Sequence, residues 1–447
     1  MQRIRGAAGF LQGAAVLACL LGADAASQGF IGVSNGAFVD ANCTEFIPVG
    51  WNSWVSLNKA ATAIVASLPT GAAGLNAKYS NTVTKLFKAA VSAKFTAVRL
   101  FLHGEDEASQ LQTQPGVYNE AAFRGIDYII AVAGLYGVKA IVVPVNNWLE
   151  PNVGDGKQQY MKWAGIPKSQ EDTFWTNPTV RNLIKNDYKV LVTRKNTFNG
   201  KLYGEDNTIF AWDIYNEPRC PASQNGPGCP GSVTQFYADL SSYLKSINPN
   251  QLITPGEEGF FAVGSGFENS DPSGVPSNVQ AAGRHAFLRT PFCLLPRTML
   301  WSAKIGQDFV PQCSLLGIDY CSIHLWPDNW NTFDPKFPAS WVTAHETATK
   351  TLNKPLVLEE FGKSGDKTAT YQAVFSALEQ SLANGGQLRG ALFWRWNEDG
   401  GSDLNTVYTN DSTWKLIEAA IARISPYYGR PLPGCVPTQP GVVAFSG

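Results

Sequence analysis

The sequence predicts one α/β domain, a (β/α)8 TIM barrel whose active face carries an extended loop insertion. Two observations lead there. Eight short, near-continuous apolar segments recur along the 447-residue chain, and amphipathic helical patterns lie between them. Such runs fit parallel strands buried on both faces, and eight of them match a barrel of about 250 residues plus insertions. Strand order is invisible at this level, so a doubly wound open sheet is the alternative topology.

The chain opens with a targeting segment. Arg3 and Arg5 precede an apolar run from Gly6 to Gly22, and Ala23-Asp24-Ala25-Ala26 follows with small residues. This is the layout of a secretory signal peptide, assigned to residues 1–26. The run contains Gln12 and several glycines and is short for a membrane span. Residues 27–447 then form the barrel domain, expected to be exported, soluble and monomeric. Strands are predicted at Phe46–Gly50, Phe95–Phe101, Val138–Val145, Ile209–Tyr215, Gln251–Thr254, Ile318–Ile323, Pro355–Leu358 and Gly390–Trp394. Helices are predicted at Glu120–Val138, where Ile126, Ile129, Ile130 and Ala133 share one face, and at Asn177–Arg194, Val233–Ile247, Trp341–Leu352, Tyr371–Ala383 and Thr413–Ile424. Ser265–Pro296 breaks the alternation. It is rich in Gly, Pro, Ser and Asn at first and apolar later, and reads as a long loop on the active face.

Composition narrows the partners. Lys and Arg number 35 against 36 Asp and Glu, only 16% of residues are charged, and 13 are Trp. No basic excess exists to neutralise phosphates, so nucleic acid is excluded as a partner. A neutral, Trp-rich surface suits a neutral ligand. After the signal segment seven cysteines remain, consistent with disulfides in an oxidising compartment. Cys220 and Cys229 bracket a Gly/Pro-rich loop and form the favoured pair. The odd count leaves one cysteine over. Two sequons, at Asn42 and Asn410, could carry glycans. The four histidines are scattered and no CxxC or HExxH occurs, so neither a metal site nor a cofactor is expected.

The chemistry sits at strand ends, where barrel enzymes carry their catalytic groups. The fourth strand, TIFAWDIY, delivers Asn216-Glu217-Pro218-Arg219, and the seventh, PLVL, delivers Glu359-Glu360-Phe361-Gly362. Cleaving a glycosidic bond requires an acid for the leaving oxygen and a nucleophile or base opposite it. A Glu from each of two strands can supply that pair. A lone Glu is usually a solvated surface group, but these two terminate apolar strands.

TIFAWDIYNEPRC and LVLEEFGKS resemble the family-5 glycoside hydrolases, specifically their endo-β-1,4-mannanases. VPVNNW, FWTNPTVRN, TPGEEGF and IDYCSIHLWPDNW agree in order, from about Phe46 to Trp394. The resemblance implies a TIM barrel, a retaining mechanism, two catalytic Glu and no metal. Glu217 resembles the general acid/base and Glu360 the nucleophile. Adjacent strand side chains point to opposite sides, so Glu359 is expected behind the strand. Among residues expected to bind substrate, Asn216 resembles the group that meets the sugar 2-hydroxyl. Trp394 resembles the platform under the sugar at the cleavage point and Trp148 a platform on the leaving side, with Trp54 a further candidate. Arg219 resembles a contact to a more distant sugar on the leaving side, and Arg99 the arginine beside the nucleophile. His324 is expected to orient substrate or catalytic side chains.

One departure stands out. Trp326 replaces the family's usual Tyr, whose phenol would hydrogen-bond the nucleophile. Indole has one N–H and cannot accept, so Trp326 could still orient Glu360 while reshaping the sugar pocket. The expected activity is retaining endo-cleavage of β-1,4-mannosidic bonds in mannan, glucomannan or galactomannan, with the polysaccharide as partner. An endo-β-1,4-glucanase, a mannan transglycosylase or a non-catalytic polysaccharide-binding protein are the alternatives on the same scaffold. A purely structural wall protein would show repeats or low-complexity tracts.

Overall fold

The computed structural model describes residues 29–104, 109–148, 156–220, 229–262, 264–272, 305–397, 400 and 402–435. The predicted signal peptide and residues 273–296 of the predicted insertion lie outside them.

Eight parallel strands curl into a nearly closed barrel. They are β1 (Val49–Ser53), β2 (Ala97–Phe101), β3 (Lys139–Val143), β4 (Ile209–Asp213), β5 (Leu252–Thr254), β6 (Cys321–Leu325), β7 (Leu356–Phe361) and β8 (Leu388–Phe393). Their order, β5-β4-β3-β2-β1-β8-β7-β6, pairs each strand with the next in sequence except β5 with β6, and joins β8 to β1. An open doubly wound sheet is thereby ruled out. At the seam between β5 and β6 isolated bonds replace a ladder. Asp319 N–H donates to the Ile253 carbonyl at 2.8 Å and His324 N–H to the Glu258 carbonyl at 3.1 Å.

The first strand starts later than its apolar run suggests. Pro48 has no N–H to donate, and Glu45–Phe46 pairs antiparallel with Ala37–Val39 instead. That segment is the second half of a hairpin with Gly32–Ser34, turned at Asn35-Gly36, where both residues have positive φ. Asn-Gly is the preferred pair for this tight turn. The small sheet plugs the base of the barrel, with the Phe38 ring 5.1 Å from both Phe210 and Tyr320.

Ten helices stand around the strands among the described residues: α1 (Val55–Val65), α2 (Thr82–Ser92), α3 (Glu120–Tyr136), α4 (Lys157–Trp163), α5 (Pro178–Thr193), α6 (Cys229–Ile247), α7 (Phe309–Ser314), α8 (Phe337–Leu352), α9 (Thr368–Asn384) and α10 (Ser412–Ile424). Asn119 caps α3 through the N–H groups of Ala121 and Ala122, and Gly137 ends it in the left-handed conformation. Strand periodicity sorts the core into two layers. On β2, Val98 and Leu100 join the large cluster under the helices, whereas Ala97 joins Ile141, Ala211 and Leu392 inside the barrel. Arg99 shares the parity of Ala97, so its side chain projects into the barrel.

β7 breaks that alternation. Against β6, Ile323 pairs with Leu358 but His324 pairs with Glu360, so two β7 residues span one β6 step. This extra residue is a β-bulge, a device that re-aims side chains beside functional sites.

Disulfides join Cys43–Cys435, Cys220–Cys229 and Cys313–Cys321. The other two cysteines, Cys19 and Cys293, lie outside the described residues. Both sequon asparagines are exposed. The Cys43–Cys435 bond closes a separation of 392 residues on the base of the barrel. Cross-links over long loops constrain the unfolded chain, so the double Ser variant should lose about 2–4 kcal/mol in denaturant unfolding. Its turnover under native conditions should be unchanged.

Candidate active site

The carboxyl ends of the strands enclose a cleft of about 370 Å³ lined by Trp54, Phe101, Trp148, Asn216, Glu217, Arg219, Glu258, Trp326, Asn329, Trp330, Glu360, Trp394 and Asn405. Its floor rests on Arg99. This guanidinium is fully buried and every N–H is engaged. Nε donates to Asp213 at 3.0 Å, Nη1 to Asn52 at 3.1 Å and Glu360 at 2.8 Å, and Nη2 to Asp213 at 2.5 Å and Asn216 at 2.7 Å. Burial opposes a charge there, but the surrounding carboxylates hold Arg99 more firmly protonated than a free arginine. The expected role of Arg99 in substrate binding is corrected accordingly. It has no donor left for a sugar and acts by positioning Glu360 and Asn216.

Glu217 reaches the cleft through an unusual backbone. Its φ is +52°, a left-handed conformation costly for a residue with Cβ, and its N–H is fixed by the Gly256 carbonyl at 2.8 Å. One carboxyl oxygen accepts the Trp148 indole N–H. The other lies 2.6 Å from His324 Nδ1. Glu360 receives Arg99 on one oxygen and the Trp326 N–H at 2.9 Å on the other. The indole of Trp326 fits because residue 362 is Gly, where any Cβ would press on the ring.

Donor atoms of Glu217, His324 and Glu360 lie within 4.8 Å of one another. That spacing would admit a cation, but both carboxyls and His324 Nδ1 are already bonded within the protein and Arg99 stands beside them. The electrostatics suit a proton instead. Burial raises Glu217, with Arg219, Trp148 and Arg99 opposing. Burial and then Glu217 itself raise Glu360, with Arg99 and Trp326 opposing. Two buried carboxyls this close share one proton over a wide pH range. The direct Arg99 contact at 2.8 Å favours the charge on Glu360 over Glu217. Burial lowers His324 to about 3, keeping it neutral. Its Nδ1 can therefore either accept from a protonated Glu217 or donate to the carboxylate, according to tautomer. Like Arg99, His324 is fully buried below the cleft, where it meets Glu217.

The aromatic candidates fall at two ends. Trp148, 41% exposed, stands beside Glu217 with the Arg219 guanidinium 4.7 Å from its ring. Arg219 is fixed by Glu258 at 2.8 and 2.5 Å. At the other end Trp394 lies 6.1 Å from Trp326 and 5.6 Å from Trp54, and donates its N–H to Asp403 at 3.0 Å. Asn216 is clamped between Arg99 and Asn146, the latter at 2.9 Å.

Glu359 does not stand behind its strand. The bulge turns it into the barrel interior beneath Glu360, where it accepts the Tyr320 hydroxyl at 2.7 Å and lies 3.9 Å from Arg99. Alternation fails because the extra residue resets the parity. Sequence reasoning also gave no role to Asp213, Glu258, Asn329 or Asn405. Asp213 was detectable as the charged residue inside an apolar strand. The two asparagines lie in loops of ordinary composition and left no signal.

A sequence profile described as "GH family 5 beta-mannosidase-like" matches residues 28–270 and 303–416. The chain belongs to glycoside hydrolase family 5. The profile's gap falls on the predicted insertion. Among relatives, mannan endo-1,4-beta-mannosidase 4 of Solanum lycopersicum is 31% identical over 343 residues, covering 73% of this chain and 76% of that protein. Mannan endo-1,4-beta-mannosidase 3 of Arabidopsis thaliana is 32% identical over 352 residues, 74% of this chain and 77% of that one. The endo-1,4-beta-mannanase structure from Rhizomucor miehei superposes with a TM-score of 0.65 at 23% identity, covering 89% of this chain and 99% of that chain. The fold and family expected from the motifs are thus borne out, and the chain is a glycoside hydrolase.

Removing the Trp326 N–H tests how Glu360 is held. Trp326→Phe loses a hydrogen bond to a charged group, worth about 1.5–3 kcal/mol. We expect kcat/KM on polymer to fall about 10- to 100-fold. A lost donor raises the carboxyl pKa, so the acid limb of the pH–rate profile should move to higher pH.

Proposed function

We propose that the chain is a secreted, retaining endo-β-1,4-mannanase. The observation that carries this is the pair of carboxyls from β4 and β7 with oxygens within 4.8 Å of each other. Retaining glycosidases keep their carboxyls about 5–5.5 Å apart, whereas inverting ones leave about 6.5–9.5 Å for water. Glu360 attacks the anomeric carbon and forms an ester. As the glycosidic bond breaks, Glu217 gives its proton to the leaving oxygen. Water then replaces the leaving sugar. Glu217 takes a proton from it, the new oxygen attacks the anomeric carbon, and Glu360 departs as carboxylate. Trp148 and Trp394 offer faces for sugars on the leaving and glycone sides, and Asn216 is set to meet the 2-hydroxyl at the cleavage point. The names of the relatives support mannan as the polymer. The hydrophobic N-terminal segment and three disulfides support export.

A reducing-end assay on β-1,4-mannan, with β-1,4-glucan alongside, tests the reading. Mannan should be cleaved internally, with products first formed in the retained configuration. Glu360→Ala should lose at least about 10⁴-fold in kcat, and added azide should restore turnover as a glycosyl azide. Glu217→Ala should retain its first step on substrates with good leaving groups. Glucan cleaved faster than mannan would overturn the sugar assignment, and inverted product would overturn the mechanism.

A further inference from the structure

The bulge on β7 places two consecutive glutamates on the same side of one strand, stacked at different depths over one cation. Arg99 cannot serve both. Its five N–H groups are consumed by Asp213, Asn52, Glu360 and Asn216. Glu359 is fully buried and approaches Arg99 only to 3.9 Å. One of its oxygens accepts the Tyr320 hydroxyl at 2.7 Å and the other, Oε2, has no hydrogen-bond partner. An ionised carboxylate is left in this state only at a cost of several kcal/mol. The groups facing it are Arg99 from β2, Asp213 from β4, Tyr320 and Ser322 from the β6 segment, and Glu360 on its own strand. With Asp213 and Glu360 both ionised, one guanidinium already faces two negative charges.

From this geometry we infer that Glu359 is a neutral carboxylic acid, which leaves the charge of Arg99 to Asp213 and the nucleophile. The inference rests on Glu360 being that nucleophile. Burial, reinforced by the nearby Asp213, raises Glu359 to about 8 against the opposing pull of Arg99 and of the Tyr320 and Ser322 hydroxyls. A carboxyl that stays protonated in the fold but ionises in the unfolded chain makes the folded state the better proton binder. Stability then falls as pH rises from the unfolded value, about 4.3, toward the folded one.

The test is Glu359→Gln, isosteric and uncharged, measured beside wild type and Glu360→Gln. The thermal midpoint of Glu359→Gln relative to wild type should rise between pH 5 and pH 8. Its kcat/KM on mannan should stay within about threefold, with the acid limb of the pH profile unmoved. If Glu359 is instead ionised, the midpoint difference will be constant across that window. The acid limb will then shift to lower pH, because a negative neighbour of Glu360 has been removed. That result overturns the inference. Should Glu359→Gln fail to fold, Glu359→Met provides a second neutral replacement of similar size and should show the same pH-dependent gain. Failure of both variants to fold at pH 5 and pH 8 also overturns it. An inactive Glu359→Gln beside an active Glu360→Gln would show that the nucleophile was misassigned. If wild type cleaves no mannan, the midpoint measurement still decides the charge state.

Discussion

One buried guanidinium organises the catalytic end of this barrel. Arg99 occupies a position whose strand parity forces it inward, and a cation there is tolerable only when anions surround it. Asp213 answers that need from β4 and Glu360 from β7. The amide oxygens of Asn52 and Asn216 take the remaining donors. The same contacts that make the arginine tolerable therefore fix four strands relative to each other at the floor of the cleft. They also separate the two glutamates chemically. Glu360 takes the Arg99 and Trp326 donors directly, while Glu217 is bonded to an indole N–H and a neutral imidazole, with Arg219 and Arg99 acting on it from further off.

Much of this was readable in the sequence, and the reasons are local. Eight apolar runs mark strands because a strand covered on both faces has no polar side to show. Glu217 and Glu360 stood out because they ended such runs. Phe46 misled, since its apolar neighbours belong to two different sheets separated by Pro48. The small hairpin went unread although Asn35-Gly36 announces its turn.

What remained hidden was hidden for a geometric reason. Alternation assumes a regular ladder, and β7 inserts a residue against β6 where the two glutamates occur. No local composition signals that insertion, because it is a property of the pair of strands rather than of either one. The seam between β5 and β6 is similar. Each segment reads as an ordinary short strand, and only the assembled barrel shows that isolated bonds replace the ladder there. The profile gap and the long connection both fall at this weakly paired edge, where extra chain disturbs the fewest backbone bonds.

The contact between Trp326 and residue 362 has a consequence for the sequences this site can pass through. A glycine at 362 tolerates a smaller ring opposite it without strain, whereas any side chain at 362 is incompatible with the indole as it now lies. The two positions are therefore unequal partners in drift. On packing alone, residue 362 cannot grow until the ring at residue 326 has shrunk.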